Sequence, residues 1–157
     1  MSILPTDIDN LTNFRATALE AEAAMLENGA LAGRDSEKLC PVKHEWAEGC
    51  YIREWNCPAG VLTVSKIHKI AHPFFVMSGE VSVLTEHGVQ HIVGPYHGVT
   101  PAGTKRVLYT HTPTQWVTVH VTEHTDLDKI EEEIIAKDFT DPTVSEADLE
   151  RLMEKEE

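Results

Sequence analysis

Two histidines, His68 and His72, are the residues best placed to do chemistry in this chain. They lie in an extended, strand-like stretch in which residues 61–70 alternate in character, so Lys66 and His68 are expected on one face. A bend beside His72 would turn its ring back toward His68. Neutral imidazole is a common metal ligand, and two imidazoles within reach of each other are the minimum of a metal site.

The spacing around these histidines resembles the first motif of the cupin superfamily. That motif reads Gly-x5-His-x-His-x3,4-Glu-x6-Gly, and the chain has Gly60-x5-Lys66-x-His68-x3-His72-x6-Gly79. Every interval fits. Lys66 stands where the family has its first histidine, and His72 stands where the family has its glutamate.

A second stretch resembles the other cupin motif, Gly-x5-Pro-x-Gly-x2-His-x3-Asn. The chain has Gly94-x6-Pro101-x-Gly103-x2-Arg106-x3-Thr110, with one residue inserted and Arg106 in place of the histidine. The two resemblances together cover about residues 40 to 122. They imply an antiparallel β-barrel of the jelly-roll type with a pocket at one mouth.

Composition predicts one globular domain and argues against two classes of partner. The chain has 157 residues, of which 41% are hydrophobic and 25% charged, enough for a single core. A formal charge of −13 argues against nucleic acid and anionic membranes as partners. The three cysteines, Cys40, Cys50 and Cys57, form no Cys-x2-Cys pair, so reduced thiols in a cytoplasmic protein are expected.

The pattern of turns and apolar runs predicts three regions, with boundaries at 1–39, 40–123 and 124–157. The first holds a loose lead-in over residues 1–10 and a helix from Leu11 to about Ala32. The last holds a helix capped by Thr125 or Asp126 and running to about Lys137, then a short acidic helix over residues 147–155.

The middle region is predicted to be entirely β-structure. Its short runs of β-branched and aromatic residues are separated by Gly- and Pro-containing turns, as in an antiparallel sandwich or barrel. The predicted strands are Val42–Trp46, Cys50–Trp55, Val61–Ile70, Pro73–Met77, Val81–Thr85, Val89–Val93, Gly98–Thr100, Arg106–Thr110 and Gln115–Thr122.

Two hypotheses for the site follow if the cupin register holds. In the first, His68 and His72 bind Fe(II), Mn(II), Ni(II) or Zn(II), and His120 or Glu54 supplies a third ligand. Lys66 and Arg106, which this register turns inward, then bind an anionic substrate beside the metal. This is the arrangement expected of a metal-dependent oxygenase, isomerase or lyase.

In the second hypothesis no metal is bound. Lys66, Arg53, Arg106 and the histidines instead line a pocket for a carboxylate, phosphate or sulfate group, which the guanidinium fork of arginine pairs with bidentately. The chain contains no nucleophile elbow, phosphate-binding glycine loop or dinucleotide fingerprint, so chemistry by those routes is disfavoured.

The whole chain also resembles small cupin-like proteins of bacteriophages and prophages. The matching residues are His44-Glu45-Trp46, Gly49, Tyr51, Arg53-Glu54, Pro58-Ala59-Gly60, His68, Gly79, Pro95-Tyr96, Pro101, Gly103, Lys105-Arg106 and Trp116 to His120. This resemblance implies Tyr51, Arg53, Arg106 and His120 as site residues. It also implies a third possibility, a non-enzymatic phage assembly or host-takeover protein acting in the host cytoplasm. Exposed strand edges and the apolar N-terminal helix predict a homodimer.

Overall fold

The computed structural model describes residues 5–85 and 88–145, which form a five-stranded and a four-stranded antiparallel sheet, a two-stranded pair and flanking helices. The strands are β1 (Val42–Ala47), β2 (Cys50–Cys57), β3 (Leu62–Val64), β4 (Ile67–His68), β5 (His72–Ser78), β6 (Glu80–Thr85), β7 (Gly88–Val93), β8 (Tyr96–Thr100), β9 (Val107–Thr110), β10 (Thr114–Val121) and β11 (Ile135–Ala136). The helices are α1 (Pro5–Glu27), a 3₁₀ helix (Gly33–Lys38) and α2 (Leu127–Ile134).

One sheet has the strand order β1-β2-β10-β5-β8, and the other has the order β3-β9-β6-β7. Along β5 the side chains of His72, Phe74 and Val76 are buried and those between them are exposed, as the twofold period of a strand requires. Since directly opposed residues of an antiparallel pair share a face, this alternation defines the barrel interior. The predicted jelly-roll core with flanking helices is confirmed.

The apolar core fills one end of the interior. It is made of the buried side chains of Phe74, Val76, Val81, Val83, Ile92 and Leu108, with Trp116 packed against them. The ring of Phe74 stacks on that of Trp116 with centroids 4.8 Å apart. Because β5 begins at His72 and then enters this core, polar side chains occupy the other end of the barrel.

The predicted single strand over residues 61–70 is divided into β3 and β4, and this is a correction to the sequence analysis. Ser65 lies at the break, where its backbone N–H donates to the carbonyl of Arg106 and its hydroxyl accepts from the Arg106 N–H. Beyond the break, β4 leaves the main sheets and pairs with β11. The alternation that placed Lys66 and His68 on one inward face is therefore interrupted.

Helix α1 covers Pro5–Glu27, so the predicted lead-in is wrong over residues 5–10, and the predicted end near Ala32 is wrong as well. Residues 1–4 of the predicted lead-in lie outside the described part of the chain. The helix is held to the barrel by the buried side chain of Arg15. Its two terminal nitrogens donate to the carbonyls of Val144, at 2.8 Å, and Gly103, at 3.1 Å. Arg15 thereby joins α1 both to the loop that contains Gly103 and to the segment that contains Val144.

Helix α2 begins at the N-cap predicted for it, since the carboxylate of Asp126 accepts from two backbone N–H groups of the first turn. It ends at Ile134 rather than Lys137, because the next two residues pair with β4 as β11. Its buried Ile130 and Ile134 pack on Tyr51. The predicted acidic helix over residues 147–155 lies outside the described residues. Within the described part of the chain, no helix has the length and apolar character of a membrane span.

Candidate functional site

Three histidines from three different strands meet at the polar end of the barrel. β4 supplies His68, β5 supplies His72 and β10 supplies His120. The ring centroids of His68 and His72 are 4.3 Å apart, and the ring of His120 lies 5.4 Å from the first and 4.6 Å from the second. One ring nitrogen from each residue lies within 4.8 Å of the other two. Of the two third ligands considered from the sequence, the structure brings His120 to the pair.

This spacing fits a single metal ion. A metal–nitrogen bond of about 2.1 Å places two ligands of one ion at most about 4.2 Å apart, so small ring rotations would bring all three nitrogens into reach. Three imidazole donors suit zinc, iron, nickel or copper and leave coordination positions open for other ligands. In the part of the chain that the structure describes, this is the one group of three or more potential ligands with such spacing.

Hydrogen bonds to neighbouring groups orient the three rings. The Nδ1–H of His72 donates to the carbonyl of Ile70 at 3.3 Å, which leaves the Nε2 lone pair available. The Nε2 atom of His120 and the hydroxyl of Thr118 share a hydrogen bond of 2.9 Å. The ring of His68 bonds to a backbone group of Lys66. Such contacts fix the ring tautomer and orientation of metal-binding histidines.

The three imidazoles are neutral at ordinary pH. Burial, with contributions from the neighbouring His72, His120 and Arg53, lowers the pKa of His68 to about 2. Burial, with contributions from His72 and Arg53, lowers the pKa of His120 to about 3. The pKa of His72 is also lowered, chiefly by burial and also by Arg106. Neutral imidazole is the form that binds a metal.

These depressed pKa values predict that the metal-free protein loses stability in mild acid. Above about pH 6.5 the histidines are neutral in both the folded and the unfolded chain. Below it only the unfolded chain gains protons, so the free energy of unfolding should fall by up to about 1.4 kcal/mol per pH unit for each histidine. Urea unfolding in the presence of a chelator, at steps from pH 7.5 to pH 5.0, measures this slope.

The slope should diminish in a His120→Gln variant and persist in a His97→Gln variant, because His97 is exposed on the outside of β8. A wild-type stability that stays constant from pH 7 to pH 5 would contradict the buried, neutral state of the cluster. The pH range stops at 5.0 so that titration of the carboxylates does not enter the comparison.

Arg53 lies beside this cluster on β2, directly opposite Thr118 of β10. Its pKa is lowered, chiefly because its guanidinium is removed from water, and it acts electrostatically on both His68 and His120. Among the described residues, none makes a hydrogen bond or an ion pair with this guanidinium. Arg53 is half-buried, and its guanidinium is able to pair with an anionic ligand.

Tyr51 is buried next to the histidines, with 4% of its surface exposed. Its ring stacks on that of His120 at 5.9 Å, and its hydroxyl shares a 2.6 Å hydrogen bond with Nδ1 of His44. Burial raises the pKa of the Tyr51 phenol, so it keeps its proton at neutral pH. His44 was not among the predicted site residues. The Glu48-Gly49 turn could have indicated His44, because a hairpin about this turn pairs His44 with Arg53, which was a predicted site residue.

The charge of Arg106 acts on His72 and so lies near the cluster. Arg106 also borders an open groove of about 460 Å³, a size suited to a small molecule. The other lining residues are Thr85, Gly88, Val89, Gln90, Val99 and Pro101. The three imidazoles do not line the groove. Arg106 both borders the groove and acts on His72, so it connects the groove to the histidine cluster.

Two residues considered from the sequence lie elsewhere. The ammonium of Lys66 contacts the carboxylate of Glu131 on α2, and 49% of the Lys66 side chain is exposed, so its predicted inward position is not observed. Glu54 points to the outer face of β2, where its carboxylate accepts from Gln115 and Asn56. Successive side chains of a strand point to opposite faces, so Glu54 points away from the face that carries Arg53 and Tyr51 and cannot reach the histidines.

No protein-family model matches the chain, and no curated protein matches it significantly. Several solved structures are similar in fold. DMSP lyase DddQ from Ruegeria pomeroyi is 17% identical with a TM-score of 0.51, covering 63% of this chain and 55% of that one. A cupin domain from Bordetella pertussis is 18% identical with a TM-score of 0.43, covering 53% and 93%. An acetylacetone dioxygenase from Acinetobacter johnsonii is 20% identical with a TM-score of 0.44, covering 51% and 58%. At these identities the likeness is one of fold alone.

Proposed function

We propose that the polar end of this barrel binds a divalent metal ion through His68, His72 and His120, together with an anionic small molecule beside it. The observation that carries the proposal is the meeting of three neutral imidazoles next to Arg53, a guanidinium without an anionic partner in the described part of the chain. Neither feature alone indicates a ligand as strongly as the two do together.

The charges around the cluster favour an anion once a metal is present. The ligand set contains only neutral nitrogen donors, so the charge of a bound cation would not be offset by a protein carboxylate. The positive charge of Arg53 acts on His68, and that of Arg106 acts on His72. A unit charge about 6 Å from another interacts by about 3 kcal/mol at an effective dielectric of 20. The site therefore favours a ligand that carries a carboxylate, phosphate or sulfate group.

Each residue near the cluster has a distinct role in this proposal. A bound metal would supply Lewis-acid activation and open coordination positions of the kind used by metal-dependent oxygenases, isomerases and lyases. Arg53 would hold the anionic group of the substrate in a fixed orientation. Tyr51, protonated and tied to His44, would hold a proton at its hydroxyl beside the ligand.

Metal-dependent anion binding tests the proposal. The protein is purified without chelators or metal-affinity resin, and its metal content is determined by elemental mass spectrometry. Metal-free protein is then titrated with cobalt(II) or zinc(II), and both forms are titrated with oxalate and with inorganic phosphate. We expect one metal ion per chain and tighter binding of an anion by the metal-loaded form. A protein that binds neither metal at equimolar concentration would refute the metal site.

A second candidate function is a metal-free binding or assembly module, such as a phage structural or host-takeover component. The observation that favours it is an exposed apolar strip on the outer face of β5 and β8, where Phe75, Met77 and Val99 are 37%, 53% and 64% exposed. Apolar surface of this kind is common where protein chains associate, and a homodimer would cover it. The metal titration separates the two candidates, because an assembly module has no need of the three imidazoles.

A further inference from the structure

Cys40 and Cys57 lie side by side at the end of the β1–β2 hairpin. Their sulfur atoms are 3.0 Å apart, although the residues are 17 positions apart in the sequence. The hairpin register continues beyond its last strand pair, because the N–H of Asn56 donates to the carbonyl of Pro41 at 2.9 Å. This continuation places the two cysteines directly opposite each other, as a cross-strand pair.

The pair needs little movement to become a disulfide. A disulfide requires sulfur atoms about 2.05 Å apart, so an approach of about 1 Å is enough. Cys40 follows the 3₁₀ helix Gly33–Lys38, which contains no buried residue. A segment with so few buried contacts opens locally at low cost. The same opening would expose Cys40, whose exposed fraction is 5%, to a reagent in solution.

We propose that Cys40 and Cys57 form a reversible disulfide by exchange with a low-molecular-weight disulfide such as oxidised glutathione. In the first step the thiolate of Cys40 attacks one sulfur of the reagent, forms a mixed disulfide and releases one thiolate. In the second step Cys57 loses its proton and attacks the Cys40 sulfur, releasing the second thiol. Two protein thiols are oxidised and one disulfide molecule is reduced to two thiols.

The order of the steps follows from the two environments. Burial and the adjacent Cys40 raise the pKa of Cys57 to about 12, so Cys57 is the weaker first nucleophile. Cys57 lies at the end of β2 and is 3% exposed, whereas Cys40 lies on the segment that can open. The bond would fix this segment to the strand that carries Arg53, whose charge interacts with both Cys40 and Glu37. This inference is independent of the proposed metal site.

The experiment uses the full chain with a Cys50→Ser substitution, which leaves only the pair. The protein is incubated with oxidised glutathione in the folded state, and a second sample is refolded from urea in the same reagent. We expect loss of two hydrogen atoms in the intact mass, no alkylatable thiols, and a Tm higher by on the order of 5 to 10 °C, reversed by dithiothreitol. Peptide mapping should recover a peptide pair joined at Cys40 and Cys57.

Matched variants carry Cys50→Ser with either Cys40→Ser or Cys57→Ser, and in them the Tm shift and the linked peptide pair should be absent. The proposal is overturned if the Cys50→Ser protein keeps two alkylatable thiols after both treatments. It is equally overturned if the only products are mixed disulfides with glutathione. The refolding sample ensures that slow access to the buried thiols cannot hide the bond.

Discussion

Replacing His120 with alanine should weaken the binding of cobalt(II) or zinc(II) by at least about 100-fold, because the loss of a direct ligand costs more than the 10- to 100-fold typical of outer contacts. The variant loses one of three nitrogen donors, and no other described group completes the set. Isothermal titration calorimetry of the metal-free protein measures the change. The absorption of bound cobalt(II) reports independently on the ligands, and a His68→Ala variant should behave in the same way.

A His124→Ala variant is the matched control for this measurement. This variant removes the same imidazole from a side chain that is 45% exposed and paired with Glu133. Its metal affinity should equal that of the wild type. Circular dichroism must show that the His120→Ala variant remains folded, since His120 is buried. A folded His120→Ala protein with unchanged affinity would remove this histidine from the metal site.

Replacing Arg53 with methionine should have two opposite effects. Affinity for oxalate or phosphate should fall by about 10- to 100-fold, because a hydrogen bond to a charged group contributes about 1.5 to 3 kcal/mol. Thermal stability should rise, because methionine fills similar space and avoids the cost of partly burying a cation that has no carboxylate partner among the described residues. Anion titration and thermal unfolding of the same samples measure both quantities.

Arg34→Met is the control for both effects. Arg34 is 59% exposed and pairs with Asp128 at the surface, so its loss should change neither anion affinity nor, by more than a few tenths of a kcal/mol, stability. An Arg53→Met protein that is less stable and binds anions as before would show that Arg53 is a structural cation. The ligand-binding role proposed for it would then be wrong.

The barrel could be predicted because its local signals agree with its tertiary structure. Gly79 is one example. Its φ of +102° suits glycine, and a Cβ atom there would lie 2.5 Å from the carbonyl oxygen of Pro113. The turn that separates β5 from β6 therefore requires glycine at this one position, which the sequence shows directly. The alternation along β5 and β10 likewise directs His72 and His120 to the interior.

Three features could not be predicted, because distant residues decide them. The strand break at Ser65 depends on hydrogen bonds with Arg106, 41 positions away. The end of α2 at Ile134 depends on pairing between Ile135 and His68, although the local sequence would extend the helix. The lack of a carboxylate partner for Arg53 among the described residues depends on which side chains the hairpin register places around it. Local propensity contains none of this information.

The pairing of β11 with β4 limits how far the chain could be shortened without changing the geometry of the three histidines. His68 has Ile135 as its strand partner, and the N–H of the following Lys69 donates to the carbonyl of Ile134 at 2.7 Å. A fragment cut to residues 40–123 would keep all three imidazoles and would lack the strand that fixes one of them. Any transplant of this centre into another scaffold must therefore carry the β4–β11 pair with it. The centre is a composite of the barrel and its C-terminal extension.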